Sequence, residues 1–185
     1  MTRIISNELN RYMDSLKTIY LLRHAKSDWA AEFRIDHERP ISERGRKNAK
    51  AVRSLLKDRS LRVDIAYVSD AKRAVDTLEI VNKNNDLFKN VEVTPLLYEA
   101  NIGVFYNLIT NTDDSHNSIL FLGHNPELEE LANQLILRQN AYKDFSFFQK
   151  FSTSALIGLS FPISSWKHIS TFPGKLILFW TPVKQ

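Results

Sequence analysis

The chain has 185 residues, 43% of them hydrophobic and 25% charged, which is the size and balance of one globular domain with its own core. It has no cysteine, and that excludes disulfides, a thiolate nucleophile and cysteine-held zinc or iron–sulfur groups. The net charge of +4 is uneven: residues 1–62 carry 15 Lys and Arg against 8 Asp and Glu, whereas residues 63–185 carry 10 against 13, so the first third holds either a solvated basic helix face or a surface for an anionic partner.

Residues 1–16 mix charged and apolar side chains and read as an N-terminal extension with the pattern of a short amphipathic helix, ahead of a single domain over 17–185. They lack the continuous apolar core of a secretion signal. No uncharged stretch is long enough to cross a bilayer, so a cytoplasmic protein without a membrane partner is expected. Residues 18–23, TIYLLR, form a short apolar run that predicts a buried strand. A polar stretch over 24–41 follows. Ser42 is placed to cap a helix from Glu43 to about Lys57, with Ala49, Val52 and Leu56 on one face. Residues 63–68 predict a second strand, and Ala71, Ala74, Val75 and Leu78 mark a second helix starting near Ser69 or Asp70.

Residues 91–97 predict a weaker strand interrupted by Pro95, and 101–110 a short helix. Residues 118–122, SILFL, predict another buried strand. Pro126 suits the first position of the helix that carries Leu128, Leu131, Ala132, Leu135 and Ile136. Residues 154–161 and 175–181 predict the last strands, linked through the Trp166 region. Strands alternating with helices predict an α/β domain, a three-layer α/β/α sandwich around a mostly parallel mixed sheet.

Ligands of such sheets bind beyond the carboxyl ends of the strands. There the first strand delivers Arg23 and His24, the second Ser69, Asp70 and Arg73, the third Tyr98 and Glu99, and the fourth Gly123, His124, Asn125 and Pro126. Arginine offers a planar, permanently charged fork that matches phosphate oxygens. A neutral imidazole is a competent nucleophile near pH 7, and a carboxylate of raised pKa can protonate a leaving group.

Leu22-Arg23-His24-Ala25 resembles the Arg-His-Gly signature of the histidine phosphatase superfamily, which includes cofactor-dependent phosphoglycerate mutase. The run from Ser69 to Thr77 is similar to that family's second phosphate-binding motif, and Gly123-His124-Asn125-Pro126 to its second-histidine motif. Asp36-His37-Glu38-Arg39-Pro40-Ile41-Ser42-Glu43-Arg44-Gly45 looks like the bacterial phosphohistidine phosphatase branch, where the first motif often reads Arg-His-Ala. The resemblance implies a phosphoglycerate mutase-like fold with His24 as nucleophile, Arg23 and Arg73 clamping the phosphoryl oxygens, His124 donating to them, and Glu99 as proton donor. It implies no cofactor and no metal, since the arginines and His124 supply the positive field.

Arg39, Lys26 and Asn125 are further candidates to face substrate, and Ser154 to support the site; Arg39 could equally hold a loop, and Lys26 and Ser27 are more simply solvated. Trp29 and Phe33 suit either a rim or the core. Phe145, Phe147, Phe148 and Phe151 fit core or a dimer contact better than a platform for bases, and His37, His116 and His168 are read as incidental. Only about 18 residues separate Glu99 from Ser118, where larger relatives insert a cap, so an open site is expected. That favours phosphohistidine on a protein over a small phosphorylated substrate. The alternatives are a small-molecule phosphomonoesterase, a phosphate-binding module without turnover, and, least favoured, a nucleic-acid binder.

Overall fold

The structure, a computed structural model, describes residues 16–136 and 151–182. The expected N-terminal helix and Phe145, Phe147 and Phe148 lie outside them. The chain runs β1 (Leu16–Arg23), α1 (Glu43–Asp58), β2 (Val63–Ser69), α2 (Lys72–Val81), β3 (Phe88–Thr94), α3 (Ile102–Asn111), β4 (Ser118–Gly123), α4 (Glu127–Ile136), β5 (Leu156–Pro162) and β6 (Lys175–Trp180). β1 takes in Leu16, the last residue of the expected extension.

The six strands form one sheet in the order β3-β2-β4-β1-β5-β6. β3, β2, β4 and β1 pair in parallel, and β5 runs antiparallel to both β1 and β6. The central strands are buried on both faces, which is why they read as continuous apolar runs. Alternation along them sorts the core. Ile19, Leu21, Tyr67, Ile119 and Phe121 face one cluster with Phe105, Ile109, Leu128 and Leu135 of α3 and α4. Tyr20, Leu22, Ala66, Val68, Leu120 and Leu122 face the other, with Ala49, Val52 and Leu56 of α1 and Ala74 of α2. The molecule is therefore the three-layer sandwich expected. The chain leaves β1 toward α1 on one face and leaves the neighbouring β4 toward α4 on the other. The carboxyl ends of β1 and β4 thus flank a topological switch point, where a crevice opens.

Three predicted boundaries shift. α2 begins at Lys72, because Ser69 stays in the ladder opposite Thr94. β3 ends at Thr94, because Pro95 has no N–H for the ladder; Pro95–Leu97 form a 3-10 turn capped by the Thr94 side chain, and Tyr98 and Glu99 emerge from that turn, not from a strand end. α4 begins one residue after Pro126. Ser42 caps α1 as predicted, accepting from Gly45 N.

Candidate active site

His24 follows β1 and His124 follows β4. Arg23 pairs with Gly123 across the two strands, and His24 N donates to Gly123 O at 2.9 Å. The two imidazoles are buried, with ring centroids 5.0 Å apart. His24 Nδ1 lies 2.7 Å from Ala25 O. A carbonyl only accepts, so Nδ1 carries the hydrogen and Nε2 keeps its lone pair. Burial is the main force pushing the His24 pKa down to about 3, with His124, Arg73 and Arg23 adding in the same direction, so the ring is neutral at pH 7. His124 is lowered to about 3 first by burial and then by Arg73.

His124 Nε2 lies 2.8 Å from Ser69 Oγ. That hydroxyl oxygen also accepts from Ala71 N at 3.3 Å; with the hydroxyl hydrogen donated to His124 Nε2, Nδ1 is the protonated nitrogen. His124 Nδ1, Arg23 Nε and Arg73 Nε are all buried without a partner. Three N–H donors left unpaired around one histidine pair suit an oxyanion, because a buried donor without an acceptor is costly.

Both arginines are held by further hydrogen bonds. Arg23 Nη1 donates to Phe151 O at 2.7 Å. Arg73, in the first turn of α2, donates from Nη1 to Asp36 O at 2.9 Å and pairs with Asp36 Oδ2 at 3.1 Å. Thr77 Oγ1 accepts from Ala25 N at 3.0 Å and donates to Arg73 O at 2.6 Å, tying the loop after His24 to the helix that carries Arg73. Ser154, with φ 63, uses its N–H to hold both Arg23 O and His24 O at 3.1 Å. Ala25 is fully buried and does not have positive φ, so the alanine fits where the family signature has glycine.

The segment 28–40 forms the lip. Ser27 and Ile41 close its base in an antiparallel bridge, and Asp28 N donates to Pro40 O at 2.8 Å. Arg39 is buried within the lip. It binds Asp36 Oδ1 and Ser27 Oγ, and its guanidinium lies 3.7 Å from the Trp29 ring centre, so it holds the loop together. Lys26 is exposed, and its carbonyl takes Ser42 N at 2.8 Å. Asn125 Nδ2 donates to Glu129 Oε2 and Phe151 O, and its Oδ1 is buried without a partner. Glu99 is exposed, at φ 54, with no hydrogen bond or ion pair among the described residues.

His37, read as incidental, packs beside the candidate site. Its Nε2 lies 2.8 Å from Asp70 Oδ1, and its ring meets Tyr98 edge-on at 4.8 Å. Tyr98 in turn meets His124 edge-on at 5.6 Å and reaches Asp36 Oδ2 through its hydroxyl at 3.3 Å. His37, Asp36, Asp70, Tyr98, Ser69 and Thr77 all belong to the site or its walls. The sequence signal for His37 and Asp36 was their place inside the Asp-His-Glu-Arg-Pro segment. Tyr98 carried none. Among the described residues no three His, Asp or Glu side chains gather as a metal site, and no helix is long and apolar enough to cross a membrane.

The model of the histidine phosphatase superfamily, branch 1, matches residues 19–129, from β1 through the start of α4. The chain belongs to that superfamily and is a phosphatase. Solved structures of the same fold include a candidate phosphohistidine phosphatase SixA from Nakamurella multipartitia, at TM-score 0.78 and 22% identity over 91% of this chain and 98% of that one. Another from Agrobacterium tumefaciens has TM-score 0.71 and 25% identity over 90% and 99%. The protein histidine phosphatase SixA complexed with tungstate has TM-score 0.70 and 22% identity over 88% and 95%. At these identities the likeness speaks for the fold of this histidine phosphatase.

Proposed function

We propose that this phosphatase removes phosphate from phosphohistidine on a protein, through a phosphoenzyme on His24. The observation that carries the covalent step is the His24 Nδ1–Ala25 O bond, which leaves Nε2 bare on a neutral ring that feels the charges of Arg73 and Arg23. His24 Nε2 attacks phosphorus. The free N–H groups of Arg23, Arg73 and His124 take the phosphoryl oxygens as charge builds on them. Water then attacks the phosphohistidine and releases phosphate.

Two features favour a protein substrate. The connection from Tyr98 to β4 is spent on α3, whose Phe105 and Ile109 are buried in the core, so it builds no cap over His24. The segments that border the site also expose large apolar side chains: Trp29 is 66% exposed, Ile35 59% and Leu96 53%. Exposed apolar groups around a polar cleft fit a macromolecular surface better than a small hydrophilic ester.

The test is to incubate the protein with a phosphorylated histidine-containing protein and with a generic aryl phosphate, then trap the intermediate. An acid-labile, base-stable label is expected, absent in His24→Ala, with the phosphoprotein turned over faster. A label that persists in His24→Ala would refute the nucleophile. Faster turnover of small esters would move the substrate to that class. Phosphate binding with no turnover of any substrate would make the chain a binding module.

A further inference from the structure

The covalent step leaves a proton unassigned. The departing oxygen or nitrogen needs one, and the attacking water must later lose one. His24 has its only N–H turned onto Ala25 O. His124 is neutral, and its N–H is one of the phosphoryl donors. Arginine does not give up a proton at working pH. Glu99 is exposed and has no hydrogen bond or ion pair among the described residues.

We infer that His37, oriented by Asp70 and Tyr98, is the acid and base of this reaction, an inference that rests on the phosphoenzyme reading above. Asp70 Oδ1 can only accept, so His37 Nε2 carries a hydrogen toward it, and the reactive nitrogen is Nδ1, which has no partner among the described residues. The His37 side chain is 31% exposed whereas His24 and His124 are buried, so the proposed acid stands on the solvent side of the two site histidines. Its neighbours tie it to the phosphate clamp. Asp36, one residue earlier, holds Arg73 Nη1 through both its carbonyl and its carboxylate. Tyr98 bridges the His37 ring to the His124 ring, with the Arg73 guanidinium 5.7 Å from the Tyr98 ring centre.

In the first half, His37 enters as the imidazolium with a hydrogen on each nitrogen; His24 Nε2 forms a bond to phosphorus as the bond to the leaving atom breaks, and the Nδ1 proton moves to that atom, leaving His37 neutral. In the second half, water forms a P–O bond as the Nε2–P bond breaks, and Nδ1 takes back the water's proton. His37 ends as it began, and the net reaction consumes one water.

The experiment measures single-turnover labelling of His24 by two aryl phosphates. p-Nitrophenolate departs without a proton, whereas phenolate, with a conjugate acid near the ordinary tyrosine value, departs far better with one. His37→Asn is expected to slow labelling by phenyl phosphate about 100-fold and by p-nitrophenyl phosphate less than 10-fold. The label should also persist longer, because hydrolysis has lost its base. Asp70→Asn should show the same pattern at smaller size, and it provides the answer if His37→Asn fails to fold. Equal slowing of both substrates, no slowing of either, or a phenyl-selective loss in Glu99→Gln with none in His37→Asn would overturn the assignment. Failure of the wild-type protein to label His24 at all would sink the phosphoenzyme reading instead, so the two failures are distinct.

Discussion

His24 and His124 stand at the ends of neighbouring parallel strands, whereas Asp36 and His37 stand on a lip whose only regular structure is one 3-10 turn, Asp36–Glu38. The floor is held by packing: Ile19, Leu21, Leu22, Phe121 and Leu122 beneath it are fully buried. The lip is held by charge: Asp36 joins Arg73, Arg39 and the Tyr98 hydroxyl, and Asp70 joins His37. Packing places atoms with little dependence on salt, while half-exposed ion pairs are screened and individually weak. A site built this way keeps His24, the proposed nucleophile, rigid and leaves its rim responsive to ionic strength.

The largest test of that division compares Arg73 with Asp36. Arg73→Lys keeps the charge but loses the fork and the Nε donor, so kcat/KM should fall about 100- to 1000-fold, as when one fixed oxyanion donor is removed. Asp36→Asn leaves the backbone carbonyl that also holds Arg73 Nη1, so the loss should be roughly 10-fold, a misplacement of the clamp and not its removal. Steady-state kinetics on the two variants decide the matter. If Asp36→Asn is as damaging as Arg73→Lys, the lip is as rigid a part of the catalytic geometry as the floor.

Gly45 is where lip and floor meet. A Cβ there would lie 2.2 Å from Lys26 O, two residues after the nucleophile, and 3.2 Å from Ile41 Cβ at the base of the lip. Both neighbours are part of the frame, and Lys26 O also takes Ser42 N and Ser42 Oγ. Gly45→Ala should therefore push α1 away from the nucleophile loop, at a cost of roughly 1–3 kcal/mol. Denaturant titration measures the stability, and labelling of His24 measures the floor. Lost stability with normal labelling would show that the floor does not need α1 in place.

The same division explains what was legible in the sequence. β1, β2 and β4 announced themselves as apolar runs because they are buried on both faces, and the residues just past their ends, His24, Arg73 and His124, followed from topology. The lip was not legible in that way. Its contacts join Asp36 to Arg73 and His37 to Asp70 across more than thirty positions, and no periodicity reports such pairs. His37 was read as incidental, and Arg39 was left open between facing substrate and holding a loop, because a polar loop shows charge but not direction. Tyr98 was seen as the residue beside Glu99, and the 3-10 turn after Pro95 makes it the one that touches the site. Local signals such as the Ser42 cap and Pro95 survive this because they act within one turn of chain.

Acid titration separates floor from lip with a smaller effect. The His24 pKa in the fold, about 3, lies below the ordinary histidine value near 6.5 that the unfolded chain would show. Between those limits the unfolded chain binds more protons than the folded one, so stability is fully present above about pH 6.5 and is lost as pH falls toward 3. For His24 alone the loss reaches about 1 kcal/mol at pH 5.5. Asp36 is held below the usual carboxylate range by its arginine partners, against the raising effect of its burial. Its contribution is therefore present above the ordinary Asp pKa and is lost only in more acidic solution. The floor should respond to mild acid and the lip to strong acid. Urea titrations of the wild type and His24→Asn at pH 7 and pH 5.5 should show a smaller drop in the variant. An equal drop would mean that the His24 ring is not held neutral by burial, and the bare Nε2 on which the phosphoenzyme depends would lose its physical basis.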